Sequence, residues 1–128
     1  MNRTNLFAAC LIAAVPVGAL ASDFQFVAKD SSIATKTCIA AASNDLPGLK
    51  RNGRQGFDGN YRLMSLTLTC NGVDVNSFAQ SFGATSTNDF LNRRVSSQYR
   101  VDEEVNIIDV SAHYPMVNGQ LQVMVSGK

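Results

Sequence analysis

The sequence predicts an α+β fold: an N-terminal helix disulfide-linked to an antiparallel sheet of three to four strands, with one or two further short helices. Three observations carry that expectation. Residues 33–43 form an alanine-rich run with helical spacing. Residues 61–70 and 121–125 alternate with the period of a strand. Cys38 and Cys70 are the two cysteines left to pair once an N-terminal export segment is removed.

The export segment comes first. Arg3 supplies one positive charge, and an apolar run follows from Leu6 to Leu20, broken only by Pro16 and Gly18. It ends Ala19-Leu20-Ala21 before Ser22, the small-x-small pattern that a signal peptidase accepts. The run is about 15 residues, short of the ~20 that cross a bilayer, so a cleaved signal peptide at 1–21 is preferred over a membrane anchor. Cys10 sits in a loose lipidation pattern, Phe7-Ala8-Ala9-Cys10, but too few residues precede it to make an apolar core. The expected organisation is 1–21 signal peptide and 22–128 a single small disulfide-linked domain.

Arg3 leaves with the signal, so ten basic residues remain against ten acidic ones. A net charge near zero argues against general nucleic-acid binding and against an anionic-surface function. No other stretch is long and apolar enough to span a membrane, so no stable insertion is expected after cleavage. In an oxidising compartment the Cys38–Cys70 pair is a disulfide by default. A zinc site is disfavoured because the chain has one histidine, and a redox pair because Cys-x-x-Cys spacing is absent.

Along the remaining chain, residues 23–28 alternate weakly, with Phe24 and Phe26 on one side, and predict a short strand or extended lead-in. Asp30, Ser31 and Ser32 offer caps for a helix at 33–43, in which Cys38 lies mid-way. Asn44-Asp45 and Leu46-Pro47-Gly48 are expected to end it. Residues 49–60 are rich in glycine and charge. They predict a loop, with at most a short helix at 49–51 and a turn at Phe57-Asp58-Gly59-Asn60.

Residues 61–70 give the clearest strand signal, with Met64, Leu66, Leu68 and Cys70 on one face. Asn71-Gly72 is a tight-turn pair. Asn76 or Ser77 is expected to cap a short helix carrying Phe78, Ala79 and Phe82, stopped by Gly83. Residues 87–94 suggest another short helix, begun at Thr87 or Asn88. Residues 105–112 and 121–125 read as strands joined through Pro115 and Asn118-Gly119 in an antiparallel hairpin.

Three pieces of the chain resemble a family of small exported proteins of Gram-negative bacteria known only as a domain of unknown function (domain of unknown function 3718). They are Cys38-Ile39-Ala40-Ala41-Ala42, then Leu68-Thr69-Cys70-Asn71-Gly72-Val73-Asp74-Val75, then Phe78-Ala79 with Phe82-Gly83-Ala84. The resemblance covers roughly residues 24–84. It implies export and a paired cysteine framework, and brings no activity, substrate or catalytic residue.

The chemistry-bearing residues give no catalytic, cofactor or metal assignment. His113 is the only histidine, with Asp109 four residues before it. That spacing pairs the two on a helix but separates them along a strand, and no Gly-x-Ser-x-Gly supplies a nucleophile. Asp102-Glu103-Glu104 lacks the alternating oxygen pattern of a calcium loop and reads as a solvated turn. Asp58-Gly59-Asn60 likewise reads as a turn. Lys50-Arg51 with Arg54, and Arg93-Arg94 with Arg100, form two basic clusters. They suit phosphates of lipopolysaccharide or cell-wall polymers, although solvated loops are the simpler reading. Phe78 and Phe82, one helical turn apart, read as core.

The functional expectation is a non-enzymatic periplasmic or secreted module that binds an unknown protein or envelope component, with no cofactor. Two other classes stand beside it: an inhibitor of an exogenous enzyme, and a small envelope hydrolase built around His113.

Overall fold

The computed structural model describes residues 24–101 and 114–128. Strand β1 (Phe24–Ala28) leads into α1 (Ile33–Ala42), α2 (Leu46–Phe57) and α3 (Tyr61–Thr67). The hairpin β2 (Thr69–Cys70) and β3 (Val73–Asp74) follows, then α4 (Val75–Ser81) and α5 (Thr85–Asn92). A single 3-10 turn at Ser97–Tyr99 precedes β4 (Met116–Val117) and β5 (Gln120–Val125). The fold is α+β, with five helices, a mixed three-strand sheet and a two-strand hairpin among the described residues.

The sheet order is β1-β5-β4. The expected all-antiparallel sheet is corrected here: β1 runs parallel to β5, with Phe24 opposite Leu121 and Ala28 opposite Val125. Parallel neighbours need a long crossover, and the whole helical body supplies it. The Asn118-Gly119 turn does make an antiparallel hairpin, between β4 and β5, with both turn residues at positive φ. The strand expected at 105–112 lies outside the described residues.

The first helix forms as its sequence predicts. Ser32 caps it, its hydroxyl accepting the Thr35 N–H at 3.2 Å. The helix ends at its Ser43 cap, and Asn44 turns the chain with φ of 60°. The loop expected at 49–60 is instead a twelve-residue helix, α2. Asp45 ends nothing; it starts α2, its carboxylate accepting the Gly48 N–H at 3.1 Å. Pro47 falls in the first turn, where its missing N–H costs no hydrogen bond. Two of the glycines that argued for a loop are packing devices. A Cβ on Gly53 would lie 2.6 Å from the Tyr61 ring, and one on Gly56 would lie 2.7 Å from Ile33. The turn at Asp58-Gly59 is as expected, both residues having positive φ.

The strand expected at 61–70 is also corrected. Residues 61–67 are helical, capped by Asn60, and only Thr69–Cys70 is strand. Met64 and Leu68 are buried in either conformation, because a spacing of four satisfies both the helical and the strand period. Leu66 separates the two readings. It should be buried on a strand, but it is 43% exposed, on the solvent side of α3. Asp74, not Asn76 or Ser77, caps α4 through the Ser77 N–H. Helix α5 begins two residues before Thr87, and Asn44 covers its start by accepting the Ser86 and Thr87 N–H groups.

Cys38 and Cys70 form a disulfide, with Cα atoms 5.7 Å apart. It fastens α1 to β2 of the small hairpin, not to the three-strand sheet. The hairpin in turn pairs with the C-terminal stretch: Cys70 bridges Gly127, and Thr69 and Lys128 exchange backbone hydrogen bonds at 3.0 Å. Around this staple lie Leu49, Met64, Leu68, Leu91, Val123 and Val125, all essentially fully buried. Phe82 sits edge-on to Phe24, Phe26 and Phe78 at 5.0–5.1 Å between ring centres. That settles the phenylalanine pair as core packing.

A second, polar seam joins α3, α4 and α5. Ser65 donates to Asn76, Asn76 to Asn92, and Asn92 to Asn88. Asn92 also accepts the Val101 N–H and donates to the Val101 carbonyl, both at 3.1 Å. These amides are buried but paired, which is the condition for polar groups to sit inside a small core.

Candidate functional site

Helix α2 positions a basic surface feature. Leu49 and Gly53 face the core, so the helix cannot roll. Leu46, Lys50 and Arg54 then make one outward ridge, and Pro47 and Arg51 the ridge beside it. The five side chains line an open cleft of about 420 Å³. No acidic residue lies within α2.

Helix α5 backs this face. The Arg94 guanidinium lies 3.5 Å from the centre of the Phe90 ring and 5.5 Å from that of Tyr61. Its Nη1 donates to the Phe90 carbonyl at 2.8 Å, which fixes it at a second point. The Lys50 ammonium reaches the same Phe90 ring, at 5.2 Å. Tyr61 packs edge-on to Phe90 and donates its hydroxyl to the Lys50 carbonyl at 3.0 Å. Ring faces attract these cations without neutralising them, as a carboxylate would. Among the described residues no ion pair joins Lys50, Arg51, Arg54 or Arg94 to a carboxylate.

Two described carboxylates flank α2 itself, Asp45 at its N-terminal cap and Asp58 at its C-terminal cap, and neither pairs with its cations. Asp45 and Asp74 cap helices. Asp30 accepts from the Ser32 hydroxyl at 2.6 Å and from the Ser32 N–H at 2.9 Å. The Ser32 hydroxyl above all, then Thr35 and the Ser32 N–H, hold the Asp30 carboxyl below the usual range.

The two basic clusters read from sequence are therefore partly merged. Lys50 and Arg94 share a ring, with Arg51 and Arg54 on the same helix as Lys50. Arg93 is exposed at the end of α5, and Arg100 donates to the Asn92 carbonyl at 3.1 Å. Sequence reasoning missed Phe90 and Tyr61 as the platform. The Phe90–Arg94 spacing of four on an expected helix was a usable signal, whereas the approach of Lys50 from another helix left none. Asp58-Gly59-Asn60 is a turn that caps α3. Among the described residues no group of three metal-ligating side chains converges. His113, Asp109 and the Asp102-Glu103-Glu104 run lie outside the described residues.

One other surface stands out. Leu63, Leu66, Val73 and Tyr99 are each 43–54% exposed, and Leu66 and Tyr99 line one hollow with Asp74 and Arg100. No helix among the described residues is long and apolar enough to cross a membrane. No protein-family model, no curated protein and no solved structure matches the chain.

Proposed function

We propose that the protein is exported, loses residues 1–21, and works without catalysis as a disulfide-stapled module that binds an anionic component of the cell envelope. The observation that carries this reading is the α2 face: Lys50, Arg51 and Arg54, paired with no carboxylate among the described residues, beside an Arg94 held over Phe90. A disulfide is consistent with an oxidising location outside the cytoplasm, periplasmic or secreted. The likeness to the exported family of unknown function belongs to the same proposal and adds no chemistry to it.

The test compares the exported protein with an Arg51→Glu/Arg54→Glu variant as bait on envelope extract. Retention of an anionic component by the first and not by the second supports the reading. Equal retention defeats it. Intact mass of the exported protein should match a Ser22 start.

One observation favours an inhibitor of an exogenous enzyme as the second reading. Val73 is 45% exposed beside the Asn71-Gly72 turn, on a hairpin anchored by the disulfide at Cys70. A rigid hairpin that presents an exposed apolar side chain next to its turn suits insertion into an enzyme cleft. Val73→Asp should abolish such inhibition and leave anion binding intact.

A further inference from the structure

We propose that the α2 face docks on a lipid surface carrying phosphate headgroups, an inference that rests on the binding-module reading and names the occupant of its site. The order of side chains along the helix points to such a surface. Pro47 and the accessible edge of Leu46, whose other side packs on the core, lie at one end beside the Asp45 cap, and Lys50, Arg51 and Arg54 follow over the next two turns. A lipid–water boundary offers apolar chain beside anionic headgroups, and long basic side chains cover that boundary with their stems while their charges reach phosphate.

The shape argues in the same direction. Arg51 and Arg54 are exposed and stand side by side on an open face, so they do not converge on a buried point as they would around a small anion. A plane of headgroups meets an open face; a free phosphate gains little from it. Single-stranded nucleic acid is disfavoured because it stacks bases on exposed rings. Here the Phe90 ring is 8% exposed and already covered by Arg94.

The face is also pre-formed. Arg94 is fixed by ring and carbonyl, Lys50 leans on the same ring, and Leu49 holds the helix against the core. The helix, Arg94 and Lys50 need no reordering on docking, which leaves the side chains of Arg51 and Arg54 to order.

The experiment is vesicle cosedimentation of the exported, processed protein at low salt. One set of vesicles is zwitterionic phosphatidylcholine, and the other contains phosphatidylglycerol. Binding is expected only to the anionic set, and about 0.5 M salt should release it by screening. A cation near an anionic surface is worth about a fivefold change in partition, so Arg51→Gln/Arg54→Gln should weaken binding on the order of 25-fold. The control is Lys29→Gln/Lys128→Gln, which removes the same charge from a separate hollow shared with Thr69 and Asn71. It should weaken binding several-fold less. Both side chains of each variant are exposed, and an unchanged thermal melt verifies folding.

Equal binding to zwitterionic vesicles overturns the proposal, as does an equal loss in the Lys29/Lys128 variant. Binding of soluble polyphosphate, oligonucleotide or acidic peptide through Arg51 and Arg54 without vesicle binding also overturns it, while leaving the binding-module reading standing. If removing Arg51 and Arg54 changes binding to none of these anions, both fall.

Discussion

Breaking the Cys38–Cys70 bond tests the scaffold most directly. The perturbation is reduction, checked by a Cys38→Ala/Cys70→Ala variant. The bond spans a sequence separation of 32 residues. On the chain-entropy relation, freeing a loop of that length returns about 4 kcal/mol of freedom to the unfolded chain. A domain of this size has a total stability of about 5–15 kcal/mol, so the bond is a large share of it. Each kcal/mol moves the melting point of such a domain by about 4–8 °C, so the transition should fall by roughly 15–30 °C. The native contacts around the bond do not vanish with it. The Thr35 hydroxyl still accepts the Gly127 N–H, and Cys70 still bridges Gly127, so the reduced domain should remain folded when cold. Thermal melts by far-ultraviolet circular dichroism, oxidised against reduced, give the number. An unchanged melting point, or a thiol titration that finds both cysteines free in the exported protein, refutes the reasoning and returns a reactive or ligand-binding role to the pair.

Three further outcomes follow from packing and titration. A Cβ at Gly127 would lie 2.4 Å from the Ala34 carbonyl carbon and 2.7 Å from the Thr35 nitrogen, both backbone. Gly127→Ala must therefore push the C-terminal stretch off α1, at a cost of about 1–3 kcal/mol in urea denaturation. Asn92→Ala removes the clasp on Val101 and leaves Asn88 and Asn76 short of a partner, which should cost about 1–3 kcal/mol and speed hydrogen exchange at the Val101 amide. Asp30 should titrate below the ordinary carboxylate range by NMR, and Ser32→Ala should raise it. Because the folded value is depressed, the stability Asp30 adds is complete above the unfolded value and is lost as pH falls through the folded one.

The fold was legible where one period had no rival. Helix α1 and strand β5 carry patterns that match only one conformation, and Asn71-Gly72 and Asn118-Gly119 take the positive φ that their turn chemistry predicts. Reading failed at α3 because Met64 and Leu68, four apart, satisfy both periods. Ser65 then decides the matter: it is buried against Asn76, which a strand with an apolar Met64 face does not allow. It failed at α2 because Gly48, Gly53 and Gly56 lower local helix propensity, and only tertiary neighbours show why they are there. The parallel pairing of β1 with β5 depends on contacts between the two ends of the domain, and no local pattern encodes it.

The basic face was legible in residue type, while its helical setting and its aromatic neighbours were not. Near-zero net charge made solvated loops the simpler reading of Lys50, Arg51 and Arg54. That inference assumes each cation lies among a fair sample of the acids. Five acids, Asp23, Asp102, Glu103, Glu104 and Asp109, lie outside the described residues. Of the other five, Asp30 and Asp74 are engaged at helix starts, and Asp45, Asp58 and Asp89 form no ion pair with the α2 cations. Where the acids cap helices, their charge answers backbone N–H groups at the N-terminal end of a helix dipole. Net charge belongs to the whole chain, whereas an anion within about 10 Å of α2 at moderate salt responds to the local set, the cations along the helix against Asp45 and Asp58 at its two ends.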